Sequence, residues 1–191
     1  MKVVGINGSA RKNGNTAILI NTVFDVLNKN GIETELIQLA GSPIRGCMGC
    51  GACKKSADKR CIIKNDIINE CFEKMSSADG FILGSPVYYA DVSAEMKALI
   101  DRTGMLSSAN GGAFKHKVGA SVVALRRGGA IHAFDTMNHF LHMMQMYLVG
   151  ASYWNMGYGG PLGAVSKDEE ALTNMRVLGE NMAWILKKIK G

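Results

Sequence analysis

Residues Lys2–Thr16 read KVVGINGSARKNGNT, an apolar run that breaks into a polar, glycine-containing turn. Lys2–Ile6 is a short apolar, β-branched run of the kind that forms a buried strand. It breaks at Asn7-Gly8-Ser9 into a turn that continues through Arg11, Asn13, Gly14, Asn15 and Thr16. Ala17, Ile18, Ile20, Val23, Phe24 and Leu27 then recur at helical spacing, so a helix is predicted from about 14 to 30, closed by Gly31. A helix N-terminus carries unpaired N–H groups and a partial positive charge, which attract an anion. Ser9, Asn13, Asn15 and Thr16 add hydrogen-bonding side chains, and Arg11 adds a cation suited to phosphate oxygens.

The spacing narrows the kind of phosphate. A Walker loop puts Lys and Ser/Thr directly after its last glycine, whereas Asn15 and Thr16 follow Gly14. A dinucleotide fingerprint needs Gly-x-Gly-x-x-Gly, and Gly5, Gly8 and Gly14 miss that spacing. A terminal monophosphate held by hydroxyls, amides and one cation remains, against the plainer possibility of an ordinary strand-to-helix turn with Asn15 as its cap.

Gly8-Ser9-Ala10-Arg11-x-x-Gly14-Asn15-Thr16 resembles the FMN-phosphate loop of flavodoxin-like NAD(P)H-dependent FMN reductases. A cysteine cluster further on narrows the likeness to the iron–sulfur flavoproteins within that group. The resemblance spans nearly the whole chain.

Along the chain, Ile32–Leu39 reads as a second strand stopped by Gly41-Ser42-Pro43, and a cysteine-rich loop follows at about 41–65. Asp66 can cap a helix through Met75. Gly80–Gly84 is a third strand, followed by a helix from Ser93 toward Met105. Val118–Leu125 is a fourth strand, and 130–146 a helix. Tyr147–Tyr153 is expected as the fifth strand, and Asp168–Ile189 as the closing helix. Strands alternating with helices give a parallel sheet covered on both faces. With the phosphate loop after the first strand, the expectation is a single flavodoxin-like α/β domain over 1–191. It would be a three-layer αβα sandwich whose five-stranded sheet runs 2-1-3-4-5.

Bulk properties agree. The chain has 191 residues, 47 % of them hydrophobic, with 3 Pro, which suits one well-packed domain rather than disorder. No apolar run reaches the ~18–20 residues of a membrane span, and with a strand read at the N-terminus no signal peptide is expected. The formal charge of +6 suits an anionic cofactor but is spread out, without the dense basic runs of a nucleic-acid arm. Four of the five Cys fall within fifteen residues, a pattern of cluster or redox chemistry in a reducing cytoplasm.

Ser85-Pro86-Val87-Tyr88-Tyr89 leaves the third strand where an aromatic cofactor ring would sit. It is similar to the family's isoalloxazine loop. Arg126-Arg127-Gly128-Gly129 follows the fourth strand. In the family this turn lies along the pyrimidine side of the flavin, so the resemblance implies Arg126, Gly128 and Gly129 as cofactor contacts, without saying which arginine serves the ring.

Cys47-x2-Cys50-x2-Cys53 is followed after seven residues by Cys61. Three thiolates at this spacing let one turn wrap a cube while a fourth arrives separately. Zinc prefers two separated knuckles, and a plain thiol or disulfide loop is the third possibility. The spacing is similar to the compact [4Fe–4S] motif of the iron–sulfur flavoproteins, with Ile62 where ferredoxins place Pro after the last Cys. Cys71, on the next helix, reads as a core thiol, and His139 and His142 as surface or interface residues.

The resemblance implies an FMN-dependent oxidoreductase. Electrons would come from a ferredoxin-type donor through a [4Fe–4S] cluster to FMN. The alternative is a cluster-free reductase transferring hydride from NAD(P)H through FMN to a quinone, free flavin or similar acceptor. No side-chain acid or base is expected, because the cofactor carries the chemistry. The apolar stripe Ile131, Phe134, Met137, Phe140, Leu141, Met143, Met144 and Met146 is broader than one sheet face requires; core packing is its first explanation and a subunit interface its second. The resemblance implies sites completed by a neighbouring subunit, hence a homodimer or homotetramer. Neither nucleic acid nor membrane is expected as a partner.

Overall fold

The computed structural model describes residues 1–41 and 43–191. The expected Gly41-Ser42-Pro43 stop includes Ser42, which lies outside the described residues. Strand β1 (Lys2–Asn7) leads into helix α1 (Asn15–Lys29) and strand β2 (Glu33–Gln38). A short helix α2 (Ala52–Lys55) interrupts the cysteine loop before α3 (Ile68–Ser77). Then come β3 (Gly80–Pro86), α4 (Ala94–Ala109), β4 (Val118–Leu125) and α5 (Ala130–Met143). Two short strands, β5 (Tyr147–Leu148) and β6 (Met156–Tyr158), precede a single 3₁₀ turn and the long α6 (Glu169–Lys190).

The sheet runs β2-β1-β3-β4-β5, all parallel, as the alternating pattern implies. Its central strands are apolar on both sides because each face is covered. Val3 and Ile82 face the core formed with α1 and α6 (Leu19, Val23, Met175, Leu178), while Val4, Ile6 and Phe81 face that formed with α3, α4 and α5 (Ile68, Leu99, Phe140). Burying each such aliphatic or aromatic side chain contributes about 1.5–3 kcal/mol, so both layers are held by the same force.

The fifth strand corrects the expected Tyr147–Tyr153. Only Tyr147 and Leu148 pair with β4, opposite Val118 and Gly119. The chain then leaves the sheet and returns at Met156, pairing with Val123 as β6 on the same edge. Asn174 of α6 holds the excursion: its Oδ1 accepts from Ser152 Oγ at 3.0 Å and Tyr153 N at 2.9 Å, and its amide donates to Trp154 O at 2.7 Å. A buried side chain on a distant helix thus outcompetes the strand ladder for these backbone groups.

Among the described residues no helix is long and apolar enough to cross a membrane. The order reverses between β1 and β3, which in doubly wound sheets opens a crevice at the carboxyl ends of the strands.

Candidate functional site

The loop after β1 is braced from below. Asn7 and Gln38 are register partners at the ends of β1 and β2. The Asn7 amide donates to Gln38 Oε1 at 2.7 Å, its oxygen accepts from Ser9 N at 3.0 Å, and Gln38 Nε2 donates to Ser9 O at 2.6 Å. Gly8 is fixed from β3 and α4, its N–H reaching Gly84 O at 2.8 Å and its carbonyl accepting from Ser93 Oγ at 2.7 Å. These bonds leave the rim of the loop free while making its base rigid.

Helix α1 starts at Asn15 behind Gly14, and no side chain among the described residues caps it. Its first N–H groups therefore keep their capacity for a ligand. Thr16 Oγ1 is buried and has no hydrogen-bond partner among the described residues. An orphaned buried hydroxyl costs about 1–3 kcal/mol unless a ligand atom completes it. Ser9 Oγ already accepts from Arg11 N at 3.1 Å, which leaves its proton for an outer acceptor.

A cavity of about 160 Å³ collects Ser9, Arg11, Asn15 and Thr16, Pro86–Tyr88 from the end of β3, and Arg126. Asn15 has a different task from its neighbours. Its amide donates to Gly159 O at 2.5 Å and Pro161 O at 2.9 Å, and its oxygen accepts from Val165 N at 3.3 Å. It ties the loop after β6 over the cradle, so Gly159 and Gly160 become part of the wall. Asn13 is exposed and stands outside the cavity. Tyr89 is also fully exposed, on a turn closed by Tyr88 N to Asp91 O at 2.8 Å. That turn holds Tyr89 and Ala90 at φ +47° and +69°, a conformation costing roughly 1–2 kcal/mol per non-glycine residue.

Beside the cradle, across the shared wall of Leu125, lies a larger cleft of about 660 Å³. Arg127, Gly128 and Gly129 face this cleft with Ile131, Trp154 and Tyr158. Gly129 adopts φ +81°, and a Cβ there would meet Ala90 Cα at 2.9 Å. The two arginines are thus separated, Arg126 toward the cradle and Arg127 toward the cleft.

The four clustered cysteines line one small cavity, with Met48, Ile62, Ile63, Met105 and Leu106 as apolar walls and Cys53 and Cys61 packed against the core of α3, α4 and α5. Cys47 and Cys50 are exposed, Cys53 and Cys61 half-buried, and all five cysteines are free thiols. Gly49 and Gly51 take φ +65° and +68°, the left-handed turns that fold Cys47–Cys53 back on itself. Cys71 is fully buried in the core, where burial pushes its thiol up to about 12. His139 and His142 are exposed.

Cys61 is the anchored member. Its N–H reaches Asn69 Oδ1 at 2.9 Å, and the Asn69 amide donates to Cys61 O at 3.0 Å and Ile63 O at 3.1 Å. Its sulfur accepts an N–H from Arg102 Nη2 at 3.2 Å. Arg102 is only 1 % exposed and forms an ion pair with the equally buried Asp66. It also donates to Arg45 O at 3.3 Å. Burial works against the guanidinium charge, but the bonds to Asp66 and Cys61 outweigh it and raise the Arg102 pKa. Asp66 keeps its expected place at the head of α3, accepting from Ile68 N at 3.1 Å. Arg102, Asn69 and the Asn7–Gln38 brace went unread in the sequence, because each acts on residues that only the fold brings near.

Two cofactor fits can be tested on these observations. The uncapped helix, the orphaned Thr16 hydroxyl and the free Ser9 proton fit a terminal phosphate. Among the described residues, no three His, Cys, Asp or Glu side chains close on a point that could hold one metal ion. A single zinc draws its sulfurs to within ~2.3 Å of itself. Four cysteines lining one shared cavity match in number and kind the ligand set of an iron–sulfur group.

The profile of the NADPH-dependent FMN reductase family matches residues 1–160. An iron–sulfur flavoprotein of Methanocaldococcus jannaschii is 39 % identical over 197 aligned positions, covering 100 % of both chains. One from Methanosarcina thermophila is 36 % identical over 162 positions, covering 84 % of this chain and 81 % of the other. An archaeal flavodoxin superposes with a TM-score of 0.63 at 16 % identity, covering 98 % of this chain and 99 % of that one, a likeness of fold.

Proposed function

The chain belongs to the NADPH-dependent FMN reductase family, and we propose that it is an electron-transfer flavoprotein with two redox groups. FMN would sit at the carboxyl ends of β1, β3 and β4, and a [4Fe–4S] cluster on Cys47, Cys50, Cys53 and Cys61. When bound, the cluster supplies one-electron exchange with a ferredoxin-type donor, and the flavin couples single electrons to two-electron chemistry.

The residues divide the work. Ser9, Thr16 and the N–H groups opening α1 hold the phosphate, with Arg11 at its outer edge. Asn15 closes the loop after β6 over it. Pro86, Val87 and Tyr88 offer an apolar wall and backbone groups for the ring, and Arg126 offers a positive charge nearby. A cation there favours added negative charge on a reduced flavin. The observation that carries the two-group reading is the four-thiol cavity with a buried cation donating to one sulfur. The relatives named iron–sulfur flavoproteins support it.

A cluster-free NAD(P)H-dependent reductase is the second reading, favoured by the name of the matching family and by the exposure of Cys47 and Cys50. Anaerobic mixing with a reduced ferredoxin, and separately with NADH and NADPH, tests the choice. Flavin bleaching near ~450 nm by ferredoxin alone is the expected result. Bleaching by a nicotinamide nucleotide alone would replace the first reading with the second.

We also take the chain to self-associate as a homodimer or homotetramer. Exposed Ile131, Met143, Tyr147, Leu148, Tyr153 and Trp154 on and after α5 support this. Light scattering should report two or four times the 20.5 kDa chain mass, and a monomer would refute it.

A further inference from the structure

We propose that Arg102 is a positioning residue for the cysteine site: its buried guanidinium, oriented by Asp66, donates an N–H to the Cys61 sulfur and raises the reduction potential of a cluster ligated there. This rests on the cluster reading above.

A buried arginine is costly unless its charge and its N–H groups are used. As packing, it would serve no better than an apolar side chain of similar volume, since replacing a buried ion pair by hydrophobic residues is often neutral or stabilising. Its position on α4 therefore calls for another reason. The two Nη groups serve five acceptors: both Asp66 oxygens, the carbonyls of Arg45 and Ile63, and the Cys61 sulfur. Four of these come from protein oxygens that fix the plane of the guanidinium, and the fifth is the thiol. A neutral thiol is a weak acceptor, whereas a metal-bound thiolate accepts strongly. The geometry is thus built for the charged sulfur. Arg102 Nε is buried with no partner among the described residues, a further unspent donor in the same pocket.

The direction of the effect follows from charge. Uptake of one electron from a reduced donor adds one negative charge opposite Arg102. No bond forms or breaks, and no proton moves. A fixed cation and N–H donor stabilise the more negative state more, so the potential rises. Asp66 works in the opposite sense, as the counter-charge that keeps Arg102 in place.

The test compares anaerobically purified wild type, Asp66→Asn and the double variant Asp66→Asn/Arg102→Met. Each is assayed for iron, sulfide and flavin, and titrated redox-wise with the cluster followed by electron paramagnetic resonance. Asn at 66 keeps the cap on Ile68 N, and the double variant leaves no unpaired buried charge. Asp66→Asn is expected to titrate above wild type and the double variant below it, shifts of opposite sign that general loosening of the loop would not produce. An iron-loaded double variant at the wild-type potential overturns the proposal. Should the double variant lose its iron, Arg102→Lys decides: it keeps the charge without the planar fork. It should retain the cluster at a lowered potential, and a wild-type potential would overturn the proposal. Wild-type protein free of iron and sulfide overturns the cluster reading itself, and the proposal with it.

Discussion

The loop after β1 and the loop before α3 are both glycine-rich and both line a cavity, yet they are held in different ways. The first is braced at its base by Asn7, Gln38, Gly84 and Ser93, and its unspent groups lie on its rim. The second is pinned at one end, where Asn69 and Arg102 fix Cys61, while Cys47 and Cys50 stand exposed. A phosphate can be met by a finished socket of backbone N–H groups and hydroxyls. A cluster, by contrast, is itself a covalent brace, so under the proposed reading a loop cross-linked by four thiolates would need only one corner prepared in advance.

The sharpest way to break this contrast is to remove a ligand. Cys50→Ala should take iron from about four per chain to none while leaving bound FMN unchanged. A variant with full iron would remove Cys50 from the ligand set. Next in size is the buried ion pair. Arg102→Ala strands Asp66 and should cost about 3–5 kcal/mol in urea unfolding, whereas Arg11→Ala, exposed on the rim, should leave the midpoint where it was. Equal effects from the two arginines would mean that the cysteine side is not anchored as described.

Ser9→Ala with Arg11→Ala should weaken FMN binding by roughly 10- to 100-fold through lost hydrogen bonds to a charged group, without unfolding the apoprotein. Unchanged affinity would sink the phosphate assignment. Cys71 gives a pH signature. Its folded pKa stands near 12 against an ordinary value of 9.0. The folded state therefore holds the proton that the unfolded chain releases, and stability falls as pH rises from about 9 toward 12. The limiting slope is about 1.4 kcal/mol per pH unit, and Cys71→Ala should flatten it. Smallest is Thr16→Val. Removing the orphaned hydroxyl should stabilise the apoprotein by about 1 kcal/mol yet weaken FMN binding, and a variant that loses stability would show that the hydroxyl has a protein partner after all.

What could be read in the sequence follows the same division. The strand, loop and helix from Lys2 to Thr16 are neighbours in the chain, and their spacing, with the alternation that follows, was enough to read the sheet order. The x2 spacing of Cys47, Cys50 and Cys53 was legible for the same reason. Contacts made by buried polar side chains across the fold were not. Asn174 pulls residues 152–154 out of the expected fifth strand, Asn15 turns from the ligand to residues 159–165, and Arg102 reaches Cys61 from a helix 41 positions away. No periodicity or propensity reports such pairings. In a run such as Ala98-Leu99-Ile100-Asp101-Arg102, the arginine looks like any other charge on a helix.

Under the proposed function one chain holds both FMN and a four-iron cluster. A visible spectrum of anaerobically purified protein, with iron and sulfide assayed on the same sample, tests it most directly. Flavin bands near ~375 and ~450 nm on a broad shoulder near ~400 nm, with roughly four irons and four sulfides per chain, are expected. Flavin bands with no iron would contradict it and leave an FMN reductase whose cysteines carry no cluster.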